Sequence, residues 1–140
     1  AQDTTMSSKT DSIIAYAHSQ LGVSYKYGTK SPNRSFDCSG FTSYVYESCN
    51  VNHSRTSRSY VNFGERIDIN DAKPGDCILF SSSQSSSKVI GHVGIIIENS
   101  EDCLEFIHCS SAKRNSGVVI TDYYNSGYPK RFMQVRRMYE

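Results

Sequence analysis

No stretch of this 140-residue chain approaches the roughly 20 consecutive apolar residues that a bilayer-crossing helix requires, which excludes a membrane-spanning helix. An excess of one charge is lacking too. With 15 basic and 14 acidic side chains the net charge is +1, so no global field draws the chain to nucleic acid or anionic lipid. The five cysteines contain no Cys-x-x-Cys pair, which removes the commonest structural zinc pattern, and no metal or cofactor is expected. Their odd number leaves at least one thiol unpaired. The chain opens Ala1-Gln2-Asp3, with neither an initiator methionine nor an apolar leader. That start fits an exported protein after signal removal and, equally, a shortened chain.

What is present reads as one domain over 10–140, after a polar 1–9 segment expected to be disordered. Hydrophobic residues at 37 % and charged residues at 21 % suit a globular chain with a real core. From Asp11 to Leu21, the residues Ile13, Ile14, Ala17 and Leu21 share one helical face, and Gly22 stops the helix. Gly22 to Phe36 reads as a loop. A second helix is predicted from Cys38 to Cys49, with Asp37 as its N-cap and Phe41, Thr42 and Val45 on the same face as Cys38. A shorter helical piece follows Ser57 and ends near Gly64.

Beyond Gly64 the pattern changes to period two. Strands are predicted at Asp76–Phe80, His92–Glu98, Cys103–His108, Val118–Thr121 and Phe132–Met138, with turns short enough for antiparallel hairpins. Ser81 to Lys88 is a serine-rich surface loop. Lys130, Arg131, Arg136 and Arg137 are spread as on a solvated strand face rather than gathered into a binding patch. Helices first and strands afterwards give an α+β fold, with the helices packed on a mostly antiparallel sheet.

The chemistry centres on Cys38. One reading makes it a small core residue on the buried helix stripe. Its place in the first turn, where free N–H groups and the helix dipole favour an anion, points instead to a thiolate nucleophile. Of the four histidines, His18 lies on a helix and His53 in a polar loop, both as surface or partly packed residues. His92 and His108 fall on consecutive strands. A three-residue loop over 99–101 would pair Glu98 with Asp102 and set His92 directly opposite His108, whereas a four-residue loop would pair His92 with Cys109. In the first register Cys38 attacks a carbonyl carbon, His92 takes and returns the proton, and His108 fixes the tautomer of His92. The first backbone N–H groups of the second helix, with the Tyr25 hydroxyl, would serve the oxyanion.

Asp37-Cys38-Ser39-Gly40-Phe41, then Pro74-Gly75-Asp76 before an apolar strand, then Gly91-His92-Val93-Gly94-Ile95 and Phe106-Ile107-His108, resemble the NlpC-type (p60) bacterial cell-wall cysteine peptidases. The resemblance implies a papain-like α+β fold and hydrolysis of amide bonds in peptidoglycan stem peptides, often after γ-D-glutamyl. It implies Cys38 as nucleophile, His92 as base and His108 as third polar residue. It also implies substrate contacts from Tyr25, Asp37, Ser39 and Ser57, although Asp37 and Ser57 read equally as helix caps and Tyr25 as packing. Stem peptides or muropeptides would be the partners of a monomer working in the periplasm or outside the cell. The family's Tyr-x-Trp-Gly-Gly segment is here Tyr25-Lys26-Tyr27-Gly28-Thr29, so Lys26 and Thr29 are expected to reshape the pocket. Other readings are a wall-degrading amidase toxin, a thiol acyltransferase and a stem-peptide binding module without turnover.

Overall fold

The computed structural model describes residues 2–82 and 88–139, with side chains from Ser8 onward. Helix α1 (Gln2–Ser19) buries Ile13 and Ala17 and leaves Tyr16 exposed. It begins before Asp11 and ends before Leu21, so it differs at both ends from the apolar stripe. The upstream extension has a tertiary cause. The Thr10 hydroxyl lies 2.6 Å from that of Tyr139, and the Lys9 ammonium sits 6.0 Å from the same ring's centre. Ser8 and Lys9, which belong to the 1–9 segment expected to be disordered, are therefore helical, while the side chains of 1–7 lie outside the described residues. Downstream, Gln20 turns inward to hydrogen-bond Asn33, and Leu21 is left exposed.

Residues 22–36 are not simply a loop. They carry a three-stranded sheet in which β1 (Ser24–Tyr25) runs parallel, and β2 (Lys30–Ser31) antiparallel, to the central β3 (Ser35–Phe36). Strands of two residues show no period that a sequence could display. Helix α2 (Cys38–Ser48) follows, then a 3₁₀ turn at Arg58–Asn62, close to where a helical piece was expected.

The remaining strands are β4 (Glu65–Ile67), β5 (Cys77–Ser81), β6 (Ile90–Ser100), β7 (Cys103–Ser110), β8 (Gly117–Asp122) and β9 (Phe132–Arg137). They form a six-stranded sheet in the order β4-β9-β5-β6-β7-β8, antiparallel throughout. Every residue of β5 is buried, which explains its uninterrupted apolar run. One sheet face packs Leu79, Val93, Ile95 and Ile107 against Ile13, Ala17, Phe41 and Val45 of the helices. The other gathers Ile78, Phe80, Ile96, Phe106 and Val135. Each such side chain contributes about 1.5–3 kcal/mol on burial. This is the expected α+β arrangement, with both helices on one side of the sheet. The serine-rich loop falls largely outside the described residues.

The basic residues near the C-terminus do not form a solvated strand face. Lys130 and Arg131 lie in a 3₁₀ turn (Tyr128–Arg131) before β9. Arg136 donates to the carbonyls of Phe63 and Gly64, and Arg137 pairs with the buried Asp76 at 2.8 Å. These guanidinium groups close the β4 edge and the Pro74-Gly75-Asp76 turn onto the sheet.

Candidate active site

Asp37 enters α2 in an extended conformation, and its side chain accepts the Gly40 N–H at 2.6 Å. That bond is an N-cap, and it places Cys38 in the first helical turn. Gly40 is required by the close approach: a Cβ there would stand 2.2 Å from the Thr29 carbonyl oxygen and 2.7 Å from Asp37 Oδ1. The same carboxylate also accepts the Gly28 N–H at 3.0 Å and pairs with Arg55 at 3.1 Å. Arg55 donates to Ser39 Oγ at 2.9 Å as well. Asp37 is thus a cap and the hub of a network that ties α2 to the preceding small sheet.

The Cys38 sulfur lies 3.3 Å from Ser57 Oγ and 3.8 Å from the Gly91 carbonyl oxygen. Ser57 precedes its 3₁₀ turn without a side-chain capping bond, so its hydroxyl serves the sulfur rather than the helix end. Tyr25, Asp37, Ser39 and Ser57 line one cleft of about 500 Å³ together with Cys38. Arg55, Tyr27 and Gly91 are also part of its walls. A separate depression of about 330 Å³ at the β4–β9 edge, lined by Arg66, Asp68 and Phe132, offers no nucleophile.

The histidines meet, but not as direct cross-strand partners. The β6–β7 hairpin turns through two residues, Glu101 and Asp102, with Ser100 opposite Cys103. A register shift between Ile96 and Glu98 then sets Ile95 opposite Ile107. Continuing that register puts Gly94, not His92, opposite His108. The two imidazoles therefore meet on a diagonal, with His92 Nε2 2.7 Å from His108 Nδ1. Gly94 permits this, since a Cβ there would lie 3.1 Å from His108 Cβ and 2.9 Å from the Phe106 ring. His108 Nε2 is in turn 2.8 Å from Thr121 Oγ1 on β8.

The ladder between β6 and β7 begins at Ile95, so Ile90, His92, Val93 and Gly94 pair with β5 alone, and Gly91 falls at an irregularity of that pairing. Cys38 reaches this open end of β6 from the helix layer. The imidazoles reach it from the opposite face, where they pack with Phe80, Phe106 and Tyr128. Among the described residues no hydrogen bond joins Cys38 to His92. The ring nitrogen of His92 left over after the bond to His108 is Nδ1.

The electrostatics differ from a preformed ion pair. Burial holds the Cys38 thiol above its ordinary value and the Asp37 carboxylate adds to the rise, against a lowering by the Ser57 hydroxyl. Burial, then the Arg131 charge, pushes His92 down to about 3. His108 is lowered well below its usual range, first by burial, then by His92 and Arg131. The free site therefore rests as thiol and neutral imidazole, not as the acidic thiolate that the helix N-terminus suggested. The dipole is offset by the Asp37 carboxylate beside it and by dehydration of the sulfur.

Arg55, Thr121 and Tyr128 are site residues that the sequence did not single out. Arg55 had a local signal, since it opens the Arg55-Thr56-Ser57 segment. Thr121 and Tyr128 had none, because only the order of the strands carries them to the histidines. Tyr25 lines the cleft, and its phenol is raised by burial and then by Cys38.

Residues 22–137 match the model of the NlpC/P60 family. The chain is 30 % identical over 116 residues to the gamma-DL-glutamyl hydrolase of Bacillus subtilis, covering 83 % of this chain and 26 % of that protein. It thus spans about a quarter of that relative's length. An NlpC/P60 family protein of Bacillus cereus superposes with a TM-score of 0.80 at 27 % identity, over 92 % of this chain and 40 % of its own. The NlpC/p60 domain of the peptidoglycan hydrolase SagA superposes at 0.71 and 26 % identity, over 92 % of this chain and 98 % of that one.

Proposed function

Because the chain belongs to the NlpC/P60 family, we propose that it is a cysteine endopeptidase that cleaves amide bonds of peptidoglycan stem peptides, after γ-D-glutamyl where a diamino acid follows. The observation that carries this reading is the 2.7 Å contact of His92 with His108, which leaves Nδ1 of His92 available at the strand end where Cys38 sits. The similarity to a gamma-DL-glutamyl hydrolase of Bacillus subtilis and to the peptidoglycan hydrolase SagA supports this choice of bond and polymer.

For His92 to act as a base at Nδ1, its Nε2–H donates to His108 Nδ1, and the Nε2–H of His108 donates to Thr121 Oγ1. The thiol then turns from the Gly91 carbonyl and gives its proton to His92 as the sulfur attacks the scissile carbonyl carbon. The oxyanion takes hydrogen bonds from the first free N–H groups of α2. Collapse breaks the C–N bond, and the imidazolium proton goes to the leaving amine. Water then gives a proton to His92 while its oxygen attacks the thioester. The sulfur leaves, regains the proton, and the γ-carboxylate is released. Tyr25, Ser39 and Ser57 contact the stem on the acyl side of the cleft. No step needs a metal or cofactor. A substrate of this kind places the work in the cell envelope, in the periplasm or outside the cell.

Digesting purified muropeptides and weighing the products tests the reading. A pair of fragments whose masses sum to the parent plus one water, split after γ-D-glutamyl and absent with Cys38→Ala, is expected. Intact muropeptides, or equal cleavage by Cys38→Ala, would reject it.

A further inference from the structure

The 3₁₀ turn before β9 brings an aromatic ring to the histidine pair, and nothing in the reaction above uses it. The Tyr128 ring lies 5.8 Å from that of His92, nearly parallel to it at 24°. It stands edge-on to His108 at 5.3 Å. Its inner edge rests on Phe80 at 4.7 Å and on Phe106 at 5.2 Å. The Arg131 guanidinium packs over Tyr128 at 4.9 Å and is itself clamped, with Nη2 donating to the Ser81 carbonyl at 3.0 Å. The imidazoles beneath are nearly closed to water, His92 at 7 % and His108 at 1 % exposure, whereas Tyr128 is only half-buried. Tyr128 is thus the outermost member of the aromatic cluster around the bond between the two rings.

We propose that Tyr128 is a positioning residue that covers the His92–His108 hydrogen bond, with Arg131 as the clamp that keeps the cover in place. The physical ground is the cost of competition. An imidazole pair open to water exchanges its partner for solvent, and His92 then samples rotamers and tautomers in which Nδ1 is not held ready to act as the base. A ring stacked on His92 and set edge-on to His108 excludes that water and restricts both imidazoles, and a guanidinium over it gains a cation–π contact that holds it there. The proposal rests on the reading of His92 as the base, but the cover itself is testable without turnover.

The test follows the imidazole N–H proton of the His92–His108 bond by NMR in the wild-type protein, Tyr128→Ala, Tyr128→Phe and Arg131→Gln. Exchange of that proton with water should quicken at least tenfold in Tyr128→Ala, and Tyr128→Phe, which keeps the ring, should recover most of the protection. On a stem-peptide substrate Tyr128→Ala should lose about tenfold or more in kcat with KM within twofold, as expected for misplaced reacting groups. Arg131→Gln leaves the packed rings in place and should show a smaller rise in exchange, which keeps the test open should Tyr128→Ala fail to fold. Unchanged exchange in Tyr128→Ala or in Arg131→Gln would overturn the cover or the clamp, whatever the activity. Absent turnover in the wild type with the exchange pattern intact would reject the peptidase reading and leave the cover standing.

Discussion

His92 and His108 touch at 2.7 Å across a diagonal of the β6–β7 pair, over a glycine at position 94 that has no side chain to keep them apart. The contact depends on backbone geometry as much as on the two rings. A one-residue slip in this hairpin would send one imidazole to the opposite face of the sheet.

Gly94→Ala is therefore expected to behave as a site variant as well as a packing variant. Its Cβ would meet the Phe106 ring at 2.9 Å and His108 Cβ at 3.1 Å. Overpacking of this kind costs about 1–3 kcal/mol. A displaced His108 should lower kcat by about 10²-fold, while Ile95→Val, on the other face, loses stability alone. Urea unfolding and steady-state kinetics on the same samples separate the two effects.

Much of this was legible in the sequence. The period-two segments located β5 to β9 to within a few residues, and Asp37 was recognised as a cap because a short acidic side chain before Cys38-Ser39-Gly40 has one good local use. The register was not legible. The sequence left a three-residue and a four-residue loop open, and the chain uses neither but two residues and then a shift near Ile97, so the histidines meet by a different geometry from either. Tyr25 proved to sit on a short strand in the cleft wall. Thr121, Tyr128 and Arg131 could not be read at all, since their roles exist only once β8 and the turn before β9 are laid beside β7 and β5. Arg137 looked solvent-facing because its partner Asp76 is remote in sequence and adjacent only in the sheet.

The resting thiol should be protonated. Burial and Asp37 hold Cys38 above its ordinary value of 9.0, so its alkylation by iodoacetamide should rise about tenfold per pH unit between pH 7 and 9. A rate already on a plateau below pH 7 would show a preformed thiolate–imidazolium pair and contradict this resting state.

Acid should destabilise the fold through the same pair. His92 titrates near 3 when folded and at 6.5 as a free side chain, so below about 6.5 the unfolded chain takes up a proton that the folded chain refuses. Stability from this source is complete above 6.5 and falls as pH drops towards 3, and His108 acts in the same direction. Urea midpoints at pH 7 and pH 4.5 should differ less in His92→Gln than in the wild-type protein. An equal difference in both would contradict the burial argument.

Asp37→Ala removes more than a cap. An N-cap alone is worth about 0.5–2 kcal/mol, and here the Gly28 N–H and the Arg55 guanidinium lose their acceptor as well. Unfolding free energy should fall by about 2–3 kcal/mol in urea titrations, whereas Asp37→Asn, which keeps an acceptor oxygen, should lose about half of that. Equal losses in the two variants would show that the carboxylate charge, rather than its geometry, organises the start of α2.

The most direct measurement is to mix the protein with a γ-D-glutamyl stem peptide, quench in acid within milliseconds, and map the adduct by mass spectrometry. A thioester carrying the acyl half of the peptide on Cys38, and on no other cysteine, is expected, together with its disappearance in His92→Ala. Turnover with no adduct on Cys38, or undiminished turnover in Cys38→Ala, would contradict the assignment of that sulfur as the nucleophile.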